Sequence, residues 1–200
     1  ATGAATVLAQ EGRPAAGLAT IATPWHFDRY DDAFRAQLAQ TWAQAKSGCD
    51  ALGLVPMEVF QTGFWQLGPV RTIRKYADFA DMEPGSPAHQ GFIAVEDWAN
   101  EGAPLTYASG LNLAEHCYAS NITGSGNWST GDNMLVGVDK LYCPTLAVAS
   151  TTDRIVPSAA TPPADERINL ALGHVGMMIG SRAEAQLWRG LSDWLSRCGG

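Results

Sequence analysis

Three short apolar runs constrain this chain more than anything else in it. Residues 18–23 (LATIAT), 145–150 (TLAVAS) and 168–172 (INLAL) are aliphatic and partly β-branched, and Gly, Pro or polar residues bound them. Each is too short for an ordinary helix, and each reads as a buried strand. Near-continuous apolar runs are typical of parallel sheets, whose strands are covered on both faces. Residues 2–11 are compatible with a helix, Arg13-Pro14 breaks it, and the first strand follows. That succession is half of a βαβ unit, so the expected fold class is α/β with a mostly parallel sheet.

A different pattern occupies residues 25–118. Helical candidates follow one another at 31–46, 56–65, 70–79, 90–98 and 104–118, and no strand signal interrupts them. Aromatic side chains are dense there: Trp25, Phe27, Phe34, Trp42, Phe60, Phe64, Trp65, Tyr76, Phe79, Phe92 and Trp98. We therefore expect residues 1–24 and 119–200 to form the sheet-bearing core, with 25–118 as a helical cap or lid inserted between strands. The alternative is an ordinary helical layer over the sheet. Residues 124–132 (GSGNWSTGD) read as a loop. Ser181-Arg182-Ala183-Glu184 has the form of a capping box opening the last helix. Leu187, Trp188, Leu191, Trp194 and Leu195 would form that helix's apolar face.

Charge and cysteine usage remove several function classes. The formal net charge of -7 disfavours nucleic acid as a partner. No apolar run approaches the roughly 20 residues of a membrane helix, so no transmembrane segment is expected. The cysteines, Cys49, Cys117, Cys143 and Cys198, are widely spaced without a C-x-x-C pair, so neither a zinc site nor a disulfide framework is expected. Reduced thiols suit a cytoplasmic protein. His26, His89 and His116 offer no metal-binding spacing: His89 is expected in a polar loop, and His116 beside Glu115 reads as a helix-surface residue.

Two loops carry the chemistry. TTDRIVP (151–157) follows the second strand and GHVG (173–176) the third. In an open α/β sheet, functional groups gather beyond the carboxyl ends of the strands, which would bring Asp153 and His174 to one edge. A histidine there can take a proton from a Ser or Cys nucleophile and return it to the leaving group. A carboxylate on its other ring nitrogen fixes the tautomer and stabilises the imidazolium. Acid before histidine, with the nucleophile earlier still, is the order of the α/β-hydrolases. Taken singly, Asp153 can instead cap a turn or pair with Arg154, and His174 can be a turn residue. Trp25, His26 and Trp98 are candidate substrate-binding residues; for His26 a surface or lid contact is the simpler reading.

These motifs resemble those of the polyhydroxyalkanoate synthases and their α/β-hydrolase relatives. TTDRIVP and LGHVGMMIG are similar to the Asp-x-Ile-x-Pro and Gly-His-Ile/Val-x-Gly loops that hold the family's triad acid and base. EDWANEGAPLTYASGLNLAEHCYASN resembles its Trp-centred stretch at Trp98, Pro104, Tyr118 and Asn121, and RPAAGLATIATPWHF resembles the stretch after its nucleophile helix. The resemblance implies the C-terminal part of an α/β-hydrolase fold, with Asp153 and His174 as catalytic residues. The substrate would be a 3-hydroxyacyl-coenzyme A thioester, with no cofactor besides. The partners would be that small-molecule substrate and a second copy of the chain or a polyester granule surface, in the cytoplasm. The family's Gly-x-Cys-x-Gly elbow is missing: the chain has no G-x-C-x-G or G-x-S-x-G. The nucleophile is therefore expected upstream of Ala1, with the helix-like residues 1–10 leaving the elbow. Two further departures are Glu101, where many members carry Asp, and Met177 to Ser181, where polymerases often run towards Asn-Pro-Pro. They leave an ester or thioester hydrolase of the same fold as the alternative activity. A non-catalytic domain binding a partner through its aromatic helices is the alternative from another class.

Overall fold

The computed structural model describes residues 1–66, 69–131 and 133–199, apart from the side chains of 60, 63–66, 69 and 71. The rings of Phe60, Phe64 and Trp65, the loop residue Asp132 and the final Gly200 thus lie outside the described residues. The chain divides into two compact units, one of Ala1–Arg35 with Glu115–Gly200, the other of Ala36–Ala114.

The first unit carries a three-stranded parallel sheet. Helix α1 (Thr2–Gln10) precedes β1 (Leu18–Ile21), and β4 (Thr145–Ser150) and β5 (Glu166–Leu170) complete the order β1-β4-β5. Leu18 pairs with Thr145 and Ile21 with Val148; on the other side Leu146 pairs with Glu166 and Ser150 with Leu170. The mixed helix and parallel-sheet architecture agrees with the α/β class. All six residues of β4 are buried, which explains why the run is apolar without alternation. Helices α7 (Gly176–Ile179) and α8 (Arg189–Cys198), with the wide helical turn Glu184–Trp188 leading into α8, supply the matching apolar face. Leu146, Val148, Leu170, Leu172, Met177, Leu187 and Trp194 form one buried cluster. Gly17 permits this approach: a Cβ there would lie 2.8 Å from Cys198 Sγ and 2.9 Å from the Trp194 ring.

Three sequence expectations for this unit need correction. The third strand lies two residues earlier than expected and is not buried throughout; β5 is one of the two edge strands of the order, with only Leu170 fully buried. Glu166, Arg167 and Asn169 are exposed on this edge strand, which interrupts the apolar run the sequence suggested. The capping box is not formed either. The turn Glu184–Trp188 follows Ala183, which is already helical, and no side chain caps it. Trp188 moreover is 48% exposed, its indole N–H donating to the Met178 carbonyl at 2.9 Å.

The second unit is helical. It holds most of α2 (Asp32–Leu52), then α3 (Met57–Gln66), α4 (Pro69–Ala80), α5 (Pro87–Asn100) and α6 (Tyr107–Leu111). Trp42, Cys49 and Val55 are its buried cluster, against which Leu105, Tyr107 and Leu111 pack. Phe79 stacks between Phe92 (4.3 Å) and His89 (4.9 Å). The expectation that no strand interrupts the helices fails at one point: β2 (Leu54–Val55) and β3 (Leu105–Thr106) pair antiparallel. Gly53, at φ +70°, ends α2, and Pro56 disfavours helical geometry at Val55, so two residues are left extended and find a partner. The expected helix 104–118 begins only after β3: α6 runs directly into a wider, π-type helical stretch, Asn112–Ala119. His89 lies on α5, where its backbone N–H donates to the Ser86 N-cap hydroxyl at 3.2 Å, and not in a polar loop.

Candidate active site

The chain leaving β4 folds at once into a turn built around Asp153. One carboxylate oxygen accepts the N–H groups of Ile155 (2.8 Å) and Val156 (3.2 Å). Such a turn is what Asp followed by a Pro-terminated loop favours. The other oxygen meets His174 Nδ1 at 2.7 Å. The structure thus brings together the two residues singled out in the loops after the second and third strands.

The electrostatics of the pair are unequal. The side chain of Asp153 is fully buried and that of His174 one-third exposed. Burial pushes the Asp153 carboxyl up, but the hydrogen bonds from His174, Ile155 and Val156, with the histidine charge, outweigh it, and the group ends below the usual carboxylate range. At neutral pH it is ionised and can only accept, so Nδ1 must carry the shared proton. In the neutral ring the lone pair then lies on Nε2, and among the described residues Nε2 has no hydrogen-bond partner. The pair therefore presents a base whose tautomer the carboxylate has selected.

The remaining candidates are placed differently. Trp25 is buried, its ring 6.1 Å from that of Trp128 in an edge-on contact. Its backbone N–H donates to the Ala160 carbonyl at 2.7 Å, as does that of His26 at 3.0 Å, so the segment after β1 is tied to the chain following the Asp153 turn. His26 is half-buried. Trp98 lies on α5 in the other unit and is 65% exposed. Cys49 belongs to the apolar cluster of the second unit. None of the four cysteines forms a disulfide, and burial pushes the thiols of Cys117 and Cys143 up, opposite to what a thiolate nucleophile needs. Among the described residues no group of three His, Cys, Asp or Glu side chains could hold a metal ion, and no helix is long and apolar enough to cross a membrane.

Several contacts in this unit were not foreseen from sequence, although Tyr118 and Asn121 lie in the stretch that carries the resemblance. Asn121, at φ +49°, accepts the Phe27 N–H on its side-chain oxygen at 2.8 Å, and the Thr123 hydroxyl donates to the Trp25 carbonyl. Arg35 reaches the carbonyls of Tyr118 (3.1 Å) and Ala119 (3.3 Å), closing the wider helical stretch that ends there. Tyr30 is buried, its ring 5.2 Å from that of Tyr118. Burial first, then Tyr118 and the charge of Asp153, push that phenol well up, so it stays neutral. Ser150, Thr151 and Thr152 put their hydroxyls on carbonyls of the chain leading to His174. The only sequence signal for the last set is three consecutive hydroxyl residues before Asp153.

A parallel α/β sheet with a hydrogen-bonded Asp–His pair past two neighbouring strands defines a class of candidate acid–base sites. Comparison with known proteins narrows that class. No family model matches the chain. Over 194 residues, 92% of the chain, it is 26% identical to a poly(3-hydroxyalkanoate) polymerase subunit, PhaC, of Haloferax mediterranei. The same subunit of Haloarcula marismortui is 24% identical over 156 residues, 74% of the chain. These homologues support placing the chain in the polyhydroxyalkanoate synthase family. The matches span 38% and 33% of those relatives' own lengths.

Proposed function

We propose that this chain is the acid–base part of a polyhydroxyalkanoate-synthase-like acyltransferase with an α/β-hydrolase fold. The observation that carries the proposal is the 2.7 Å contact between His174 Nδ1 and a buried, ionised Asp153. In the mechanism proposed, His174 Nε2 takes the proton of a Cys or Ser nucleophile supplied from sequence before Ala1. The nucleophile's sulfur or oxygen then attacks the thioester carbonyl of a 3-hydroxyacyl-coenzyme A. As the tetrahedral intermediate collapses, the carbon–sulfur bond to coenzyme A breaks, and the imidazolium returns its proton to the departing thiolate. The acyl group then passes from this ester or thioester to an acceptor hydroxyl, which Nε2 deprotonates; the bond to the nucleophile breaks, and the imidazolium returns the proton to the nucleophile's sulfur or oxygen. Asp153 keeps Nε2 the basic nitrogen and stabilises the imidazolium without itself becoming protonated. The sheet-bearing unit would be the catalytic core and the helical unit its cap.

With water as acceptor the same steps make a hydrolase, and the departure at Met177 to Ser181 keeps that outcome within the test. The 200-residue chain, and a version extended upstream through the nucleophile, are assayed with 3-hydroxybutyryl-coenzyme A and a p-nitrophenyl ester. We expect turnover by the extended version only, with a loss of about 10⁴-fold or more in His174→Ala. Polymer formation would identify a synthase, and free hydroxy acid a hydrolase. Full turnover in His174→Ala would remove the proposed base. Turnover by the shorter chain that vanishes in His174→Ala would place the nucleophile within these residues.

A further inference from the structure

The β4–β5 ladder ends at the pair Ser150 and Leu170, yet the two chains continue side by side towards Asp153 and His174. Hydroxyl groups take over where backbone pairing stops. The Leu170 carbonyl accepts the Thr151 N–H at 2.8 Å and the Thr151 hydroxyl at 3.2 Å. Two residues on, the Leu172 carbonyl accepts the hydroxyls of Ser150 and of Thr152, the latter at 3.1 Å. The Ser150 oxygen in turn accepts the Thr152 N–H at 3.2 Å. Ser150 is 2% exposed and neighbours the apolar cluster, and Leu172 belongs to that cluster. A buried hydroxyl is costly in such surroundings unless it is hydrogen-bonded, and here its partner is the carbonyl two residues before the histidine.

We infer that Ser150 and Thr152 are positioning residues for the Asp153–His174 pair: closing on the Leu172 carbonyl, their hydroxyls set the point at which the histidine loop leaves the sheet. The geometry explains why this point needs setting. Asp153 is held by the amides of its own turn, whereas His174 lies four residues beyond the end of an outer strand. Nδ1 meets the carboxylate only if the Leu172 carbonyl is held in register with residues 150–152. This inference rests on the reading of the pair as carboxylate and base.

The test follows the His174 Nδ1 proton by NMR, through its exchange with solvent, together with the carboxyl titration of Asp153. Ser150→Ala should speed the exchange about five- to tenfold, the scale of one lost hydrogen bond. It should also move the Asp153 titration up towards the ordinary carboxylate range as the histidine contact loosens. Thr152→Val, at a more exposed position, should act in the same direction by about two- to threefold, and Thr152→Ser should restore the wild-type behaviour. Thr152→Val also serves if Ser150→Ala does not fold. Unchanged exchange and an unchanged Asp153 titration in both variants, with only a lower melting temperature, would overturn the inference: the hydroxyls would then serve stability alone. Asp153→Asn separates the two levels. If it too leaves the Nδ1 proton unaffected, the carboxylate–base reading fails, and the inference with it.

Discussion

The two strands that deliver the candidate site are built on opposite principles. Strand β4 runs between β1 and β5 and buries all six of its residues. The Asp153 turn that follows is complete in itself, because Ile155 and Val156 occupy one carboxylate oxygen within the same short loop. Strand β5, like β1, is an edge strand, and it buries only Leu170. The histidine it leads to is one-third exposed, and its one side-chain hydrogen bond goes to Asp153. The acid is thus fixed locally and the base by contact with a distant part of the chain. The difference suits their chemistry: a charge-stabilising carboxylate needs a dry, preformed cradle, while a proton carrier must reach what it serves.

Substitutions can break this contrast or sharpen it. The largest effect is expected in the strands. Leu146→Ala, at a side chain 1% exposed in the main cluster, should lower unfolding free energy by about 2–5 kcal/mol. Ile168→Ala in the partly exposed edge strand β5 should cost less, about 1 kcal/mol, at the low end of such truncations. Denaturant titration of both compares the strands directly, and equal losses would erase the distinction between them.

Next comes the pair. Asp153→Ala leaves the Ile155 and Val156 amides without their carboxylate partner and should destabilise by about 2–3 kcal/mol. His174→Ala, at a part-exposed side chain, should cost under about 1 kcal/mol. A larger loss for His174→Ala than for Asp153→Ala would reverse the assignment of local and long-range anchoring.

The smallest expected effect is on pH dependence. The native carboxyl of Asp153 binds its proton more weakly than in the unfolded chain, where the ordinary value is about 3.9. Below that value the unfolded state takes up the proton first, so stability falls as pH drops further through the lowered native value. Above about pH 5 the contribution is fully present and flat. Asp153→Asn should show a shallower loss in the acid range than the wild type when unfolding is followed from pH 6 to pH 2. An identical acid limb in the two proteins would mean that the carboxyl is not held down in the native state.

How much of this was legible beforehand depends on how local the cause is. Helix α2 was visible from its residues, although it runs on to Leu52 because only Gly53 stops it. The Asp153 and His174 loops were visible because each follows an apolar run and carries residues suited to proton transfer. The short β2–β3 ladder was not, since two extended residues have no signature until a partner at distant sequence meets them. Trp25, an aromatic among many in sequence, is buried in an edge-on contact with Trp128. The capping motif at Ser181 was legible but went unused, because the wide turn after Ala183 is already helical.

By itself, then, the sequence determined which segments could be strands of the main sheet, that this sheet would be mostly parallel, and which two side chains could act as carboxylate and base. Those properties follow from the chemistry of neighbouring residues. Only the tertiary structure decided that β4 lies between the other two strands, that β5 starts at Glu166 and stays half exposed, and that Ser150, Thr151 and Thr152 close on the chain before His174. Strand order and the partner of a hydroxyl depend on which distant segments come to share a face, and hydrophobic burial, the force that chooses them, is non-directional and indifferent to sequence separation.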